Sequence, residues 1–364
     1  MYKGFFFFFF VFVSYAYFSC VAFPNNGVFI GCNAPEIKYM GRIERGDSAS
    51  IIYWSGSSIE INFEGTEVAV SLKDETGKNY FYILIDRNKP VKLKPDTLLR
   101  SYTLASGLNY GKHNLKIYKL TEESHGKTWF YGLILNKKDK LLPKSVTNKR
   151  KIEFYGNSIS AGYSLEDTVG DSKKPEYFNN YLTYAAITAR HYNAEYSCIA
   201  KSGIGIMVSW FPIIMPEMYD RLDSKNPESK WDFSQYTPNI VVVELMTNDL
   251  WLFAKPQNEN FIARFGDKKP DEAFIINSYK NFVTTIRNKY PNASIICVLD
   301  DMSDPECEGY QWPGYIDSAV HSLNDAKIYT HFFPHQFKKG HPKAKDHERM
   351  ASNLIKFIDE NIKW

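Results

Sequence analysis

The sequence predicts an α/β protein in two parts, an N-terminal antiparallel β-sandwich of jelly-roll type and a C-terminal three-layer α/β/α domain. Three observations predict it. The 364 residues exceed one domain of ordinary size. From about Asp47 to Asn148, apolar and polar residues alternate with the period of two that marks a half-buried strand. After Lys149, short apolar runs alternate with stretches of helical period, the pattern of a parallel sheet covered on both faces.

Taken in order, the chain opens with Lys3, an unbroken apolar run from Phe5 to Val13, and small residues at Ala16 and Ala22. That is the order of a secretory signal, so residues 1–22 are expected to be a signal peptide and the protein to be secreted or in the cell envelope. The alternative is an uncleaved anchor, because Phe5 to Phe23 approaches the ~20 apolar residues that span a bilayer. The sandwich is expected over 23–148. Ser58 to Phe63 alternates strictly, turns at Glu64-Gly65 and resumes from Val68 to Leu72. A further run, Tyr80 to Ile85, follows a turn around Thr76-Gly77-Lys78-Asn79. Leu141 to Arg150 holds Pro143 and is rich in Lys, Ser, Thr and Asn, as a junction between domains should be.

The second domain is expected over 149–364. Its strands are Ile152–Tyr155, Glu195–Ile199, Ile240–Leu245, Ser294–Leu299 and Lys327–Tyr329. Between them, Phe274, Ile275, Tyr279, Phe282, Val283 and Ile286 share one helical face that ends before Pro291. A last helix, from about Lys345 to Ile362, gathers Met350, Ala351, Leu354, Ile355 and Ile358.

A net charge of +3 gives no basic stripe, so nucleic acid is not an expected partner. Four cysteines follow the signal: Cys32, Cys198, Cys297 and Cys307. They lack CxxC pairing and a histidine at zinc spacing, so no metal is expected. In an oxidising compartment one or two disulfides are possible, with the pairing open.

In a parallel sheet the ligand crevice lies beyond the strands' carboxyl ends. Four polar clusters fall there: Gly156-Asn157-Ser158-Ile159-Ser160, Lys201-Ser202-Gly203-Ile204-Gly205, Thr247-Asn248-Asp249 and Gly340-His341-Pro342. Each has a plain structural reading. Ser158 after Gly-Asn suits a turn, Asn248-Asp249 would cap a helix beginning at Leu250, and His341 would be a loop residue. Together they supply a hydroxyl nucleophile, a base and amide donors for an oxyanion, which is the equipment of acyl transfer. Trp210, Trp251 and Trp312 are candidates to stack on sugar rings, against the plain reading that they belong to the core. Asp300-Asp301 reads as solvated or capping.

These four clusters resemble, in order and approximate spacing, the motif blocks of the SGNH (GDSL-like) hydrolase superfamily. Around them, Tyr184-Ala185-Ala186-Ile187-Thr188-Ala189-Arg190, Met215-Pro216-Glu217-Met218-Tyr219-Asp220-Arg221 and Trp231-Asp232-Phe233-Ser234 look like carbohydrate esterase family two, as do Phe63-Glu64-Gly65-Thr66 and Tyr102-Thr103-Leu104-Ala105-Ser106-Gly107 earlier in the chain. The resemblance implies a jelly roll on an SGNH-type α/β/α domain, and removal of acetyl groups from polysaccharides such as xylan or glucomannan. It assigns Ser158 as nucleophile, His341 as base, and Gly203 and Asn248 beside the Ser158 backbone N–H as oxyanion donors. No cofactor is implied, and the protein is expected to act as a monomer on an acetylated carbohydrate.

The chain departs from the pattern in three ways. Asn157 replaces the usual Asp, and Met246 replaces the usual Gly, adding bulk near the expected acyl pocket. Lys338 and Lys339 stand where an Asp normally precedes the histidine, and lysines oppose the imidazolium charge that an aspartate would stabilise. The alternatives are therefore a weak or inactive carbohydrate-binding relative, or an O-acyl esterase on a cell-envelope glycan.

Overall fold

The structure, a computed structural model, describes residues 27–144, 150–300, 302, 311–334 and 340–364. The proposed signal segment lies outside the described residues. The N-terminal half is two six-stranded antiparallel sheets packed face to face. The strands Ser58–Gly65 and Gly111–Lys119 are paired across eight positions in one sheet, and Val68–Asp74 and Thr128–Asn136 are neighbours in the other. Their inward residues fill one core: Ile59, Ile61, Phe63, Leu115 and Ile117 meet Val68, Val70, Leu72, Leu133 and Leu135. Alternation in sequence thus becomes burial on one face, as the strand period requires.

The C-terminal half is a five-stranded sheet, parallel throughout. Its spatial order is Glu195–Ala200, Lys151–Gly156, Ile240–Glu244, Ser294–Leu299 and Ile328–Phe332. The strands are apolar on both faces because helices cover both. Tyr155, Val241, Val243, Ile295 and Cys297 face Tyr279, Phe282 and Ile286 of the helix Glu272–Lys289 and Ile316 of the helix Trp312–His321. The alternate positions Phe154, Tyr196, Val242, Ile296 and Val298 face Ala185 and Ala189 of the helix Tyr184–His191 and Met350, Leu354 and Ile358 of the helix Ala344–Asn361.

Some expectations are corrected. Phe274 is exposed, so the buried stripe of its helix begins one residue later, at Ile275. Cys32, Cys198 and Cys297 are buried free thiols and not half-cystines, while Cys307 lies outside the described residues. The two halves are joined by polar bonds in a buried seam: Arg42 Nη2 meets Glu153 Oε1 at 3.3 Å, Trp54 Nε1 donates to the Leu222 carbonyl at 2.8 Å, and Tyr118 Oη donates to Asn180 Oδ1 at 2.6 Å.

Candidate active site

The strand Lys151–Gly156, second in the sheet, is flanked by Glu195–Ala200 on one side and Ile240–Glu244 on the other, with Gly156 in register with both Ala200 and Glu244. The loops that follow the three strands therefore emerge side by side. They carry Ser158, Gly203 and Asn248.

Ser158 opens a one-turn helix, Ser158–Ala161, whose first N–H groups are orphans. Asn157 caps it, its Oδ1 accepting from the Ile159 N–H at 2.9 Å. Gly156 is required by space, since a Cβ there would come within 2.3 Å of Ser160 Oγ. The turn leaves the Ser158 side chain near the surface, 7% exposed, and Ser158 Oγ lies 2.9 Å from His341 Nε2.

His341 precedes the final helix, and its other nitrogen, Nδ1, lies 2.9 Å from Asp171 Oδ2. Asp171 escaped the reading of the sequence, which expected any acid just before His341. Lys338 and Lys339, which were expected to oppose the imidazolium, lie outside the described residues. The Asp171 carboxylate also accepts from the His341 backbone N–H, and from Lys343 Nζ at 3.0 Å. Partial burial alone would raise its pKa, but the hydrogen bonds from His341 and Lys343 outweigh that and hold it well below the usual carboxylate range. An ionised carboxylate only accepts, so Nδ1 carries a proton and Nε2 is left to accept from Ser158.

The loop that carries Asp171 is itself tied down. Asp167 accepts from the backbone N–H groups of Val169, Gly170 and Ser172 at 2.9–3.0 Å, and Lys343 Nζ donates to the carbonyls of Ser164 and Gly170, both at 2.8 Å. Tyr163 packs on the imidazole with ring centroids 4.4 Å apart. A sequence signal existed only in the local Asp-x-Val-Gly-Asp turn chemistry, which says nothing about a histidine 170 positions away.

Asn248 does not cap a helix. The helix runs Thr247–Phe253, so Asn248 and Asp249 are in its first turn. Asn248 Oδ1 accepts from Trp210 Nε1 at 3.1 Å and Nδ2 donates to the Ile204 carbonyl at 2.9 Å. The amide is thereby oriented with one N–H unspent. Asp249 accepts from the N–H groups of Ile206, Met207 and Val208 at 2.7–3.0 Å, and burial pushes its carboxyl up to about 6 against those bonds. These contacts shape the loop in which Gly203 takes φ +85°, a left-handed conformation that favours glycine. Among the described residues no acceptor holds the N–H of Ser158 or Gly203.

The sandwich supports the same loop. Glu122 accepts from Ser202 N–H at 2.9 Å and from Ser202 Oγ at 2.6 Å, and Glu123 pairs with Lys201.

The remaining candidates separate. Trp210 is 40% exposed beside Asn248, with Lys255 Nζ lying over its ring 5.0 Å from a centroid. Trp251 is partly buried against the core. Trp312 is buried and meets Phe253 edge-on at 5.3 Å, so it is a core residue and offers no face to a sugar. Met246 is likewise fully buried in the core, which removes it from the lining of an open acyl pocket. Its backbone keeps the glycine-like conformation, φ +89°. Asp300 is neither solvated nor a simple cap: it is buried and accepts from Thr247 Oγ1 and the Met302 N–H. Asp301 lies outside the described residues.

Comparison with known proteins agrees with this fold. Residues 39–144 match the family model "Carbohydrate esterase 2 N-terminal". The chain is 34% identical over 347 residues to the cellulase/esterase CelE of Acetivibrio thermocellus, covering 91% of this chain but only 40% of that longer relative. It is 24% identical over 343 residues to an acetylxylan esterase / glucomannan deacetylase of Cellvibrio japonicus, covering 92% of this chain and 91% of the relative. The solved structure of a family two carbohydrate esterase from Clostridium thermocellum, in complex with cellohexaose, superposes with a TM-score of 0.77 at 34% identity, over 89% of this chain and 98% of the other. With its antiparallel sheets, its SGNH-type parallel-sheet half and this likeness over nearly the whole of a solved relative, the chain belongs to carbohydrate esterase family two.

Proposed function

We propose that this protein removes O-acetyl groups from a polysaccharide of the xylan or glucomannan kind, with Ser158 as nucleophile, His341 as base and Asp171 orienting the base. One observation carries the reading: His341 bridges Ser158 Oγ and Asp171 Oδ2 with 2.9 Å on each side. The substrate class follows the names of the relatives. Trp210, exposed beside Asn248, is the platform for the sugar ring.

The steps balance as an acyl transfer. Ser158 Oγ attacks the acetyl carbonyl carbon while His341 Nε2 takes the hydroxyl proton. The developing oxyanion is held by the N–H groups of Ser158 and Gly203 and the unspent N–H of Asn248. Collapse returns the proton to the departing sugar oxygen. His341 then takes a proton from a water that attacks the acetyl-serine, and passes it to Ser158 Oγ as acetate leaves. The reading includes export, supported by the order of charge and apolar residues over 1–22.

The test is acetate release from acetylated xylan and acetylated glucomannan. Ser158→Ala is expected to lower kcat by about 10³-fold or more at an unchanged melting temperature. Equal turnover by that variant would remove Ser158 from the mechanism, and glycan binding without any turnover by the native protein would leave it a binding relative.

A further inference from the structure

Beneath the turn that carries Ser158 lies a polar network built on two buried carboxyl groups. Glu244 ends the strand Ile240–Glu244 and Asp300 follows Ser294–Leu299, and they are 0% and 1% exposed. Glu244 Oε1 accepts from Asn157 Nδ2 at 2.6 Å, and Oε2 accepts from Ser160 Oγ at 2.8 Å and from the Asn157 N–H at 3.3 Å. Asn157 and Ser160 bracket Ser158, so every one of these bonds pulls the nucleophile turn onto one side chain. Ser160 Oγ continues the chain to Tyr184 Oη at 3.0 Å.

No cation among the described residues pairs with Glu244. The titratable groups around it are Asp300, Tyr184, Tyr279 and Cys198, all neutral or acidic. Burial, reinforced by the Asp300 carboxyl, pushes the Glu244 carboxyl well above its ordinary range. An aspartate at 157, the usual residue of the superfamily's first block, would set a third acid against this pair where Asn157 now supplies a donor.

We infer that Glu244 is a positioning residue for Ser158 and that it requires an amide at 157, the two side chains forming one unit that fixes the nucleophile turn. This rests on the reading of Ser158 as the nucleophile.

The test uses the full chain and three nearly isosteric variants: Asn157→Asp, Glu244→Gln and the double variant that exchanges acid and amide. Turnover of nitrophenyl acetate from pH 5 to 9, fluorophosphonate labelling of Ser158 and thermal melting are measured. Asn157→Asp is expected to lose about 10-fold or more in kcat and labelling rate at pH 8 with KM changed less than about two-fold, and to recover in part toward pH 5 as the added acid takes a proton. The double variant is expected to regain most of that loss, because residues in one hydrogen-bonded unit are non-additive. Asn157→Asp with native activity at every pH would overturn the inference, as would a double variant no better than Asn157→Asp. If Asn157→Asp fails to fold, the double variant is expected to fold and label, and its failure to do so also overturns the pairing. Turnover surviving in Ser158→Ala would instead overturn the underlying reading, whatever the pair does.

Discussion

Asp171 shows how one side chain can decide between two readings of the same sequence. The lysines before His341 argue for a weakened base, whereas a carboxylate reaches the ring from the loop that follows the Ser158–Ala161 helix. Asp171→Asn would replace the acceptor at Nδ1 by an amide whose N–H prefers the opposite imidazole tautomer, with the proton on Nε2 where Ser158 needs an acceptor. The expected result is a loss of about 10²–10⁴-fold in kcat with KM little changed, measured on the acetyl ester. A stability signature accompanies it. The carboxyl is held below its ordinary range in the folded protein, so it contributes stability that is present above its unfolded pKa of about 3.9 and is lost as pH falls toward the folded value. The melting-temperature gap between native protein and Asp171→Asn should therefore shrink steadily below pH 4, and a constant gap would deny the carboxylate its role. Ser158, Gly203, Asn248 and His341 were legible because they sit at strand ends in a fixed order. Asp171 was not, because a turn of Asp, Val and Gly is explained locally and leaves no trace of its distant partner.

At the scale of elements, period decided what could be read. The buried parallel strands and the two long helices have continuous runs with one period, and the structure contains them within a residue or two of the expected ends, except that the last strand continues three residues past Tyr329, to Phe332. The strand Gly27–Gly31 went unread because Val28 and Phe29 are both exposed and no alternation survives. The start of the helix Thr247–Phe253 was placed three residues late because Asn248-Asp249 looks like a cap. Met246 is the element's real oddity: a buried methionine in a backbone conformation that L-residues avoid. Met246→Gly would relieve roughly 1 kcal/mol of strain but remove a buried side chain whose loss costs roughly 2–5 kcal/mol. A net destabilisation of about 1–4 kcal/mol is expected in urea unfolding, from the difference of those two terms. A variant more stable than the native protein would show that packing around Met246 contributes little.

For the whole molecule, the question is why the sandwich is attached at all. Its loops brace the site, with Glu122 and Glu123 on the Gly203 loop, and a buried ion pair ties it to the parallel sheet through Arg42. Arg42 leaves the sandwich between two short strands and reaches Glu153 of the strand Lys151–Gly156, three residues before Gly156, with both side chains fully out of solvent. It also donates to the carbonyls of Tyr219 at 2.6 Å and Arg221 at 3.1 Å. Glu153 in turn accepts from Tyr155, Tyr290 and Ser197. No period or motif in the sequence announces this pair, since a lone Arg and a strand Glu are ordinary until the fold buries them together. Arg42→Met leaves an apolar side chain against the Trp231 and Phe233 rings, over which the guanidinium now lies, but strands the Glu153 charge, at a cost of about 3–5 kcal/mol. Adding Glu153→Gln removes that charge while its amide oxygen still accepts from two of the three hydroxyls and its N–H donates to the third, so the double variant should recover most of the loss. Urea unfolding followed by tryptophan fluorescence measures both. If Arg42→Met unfolds at the native midpoint, or if Glu153→Gln fails to rescue it, the seam is held by its apolar contacts and the ion pair is incidental to the union of the two halves.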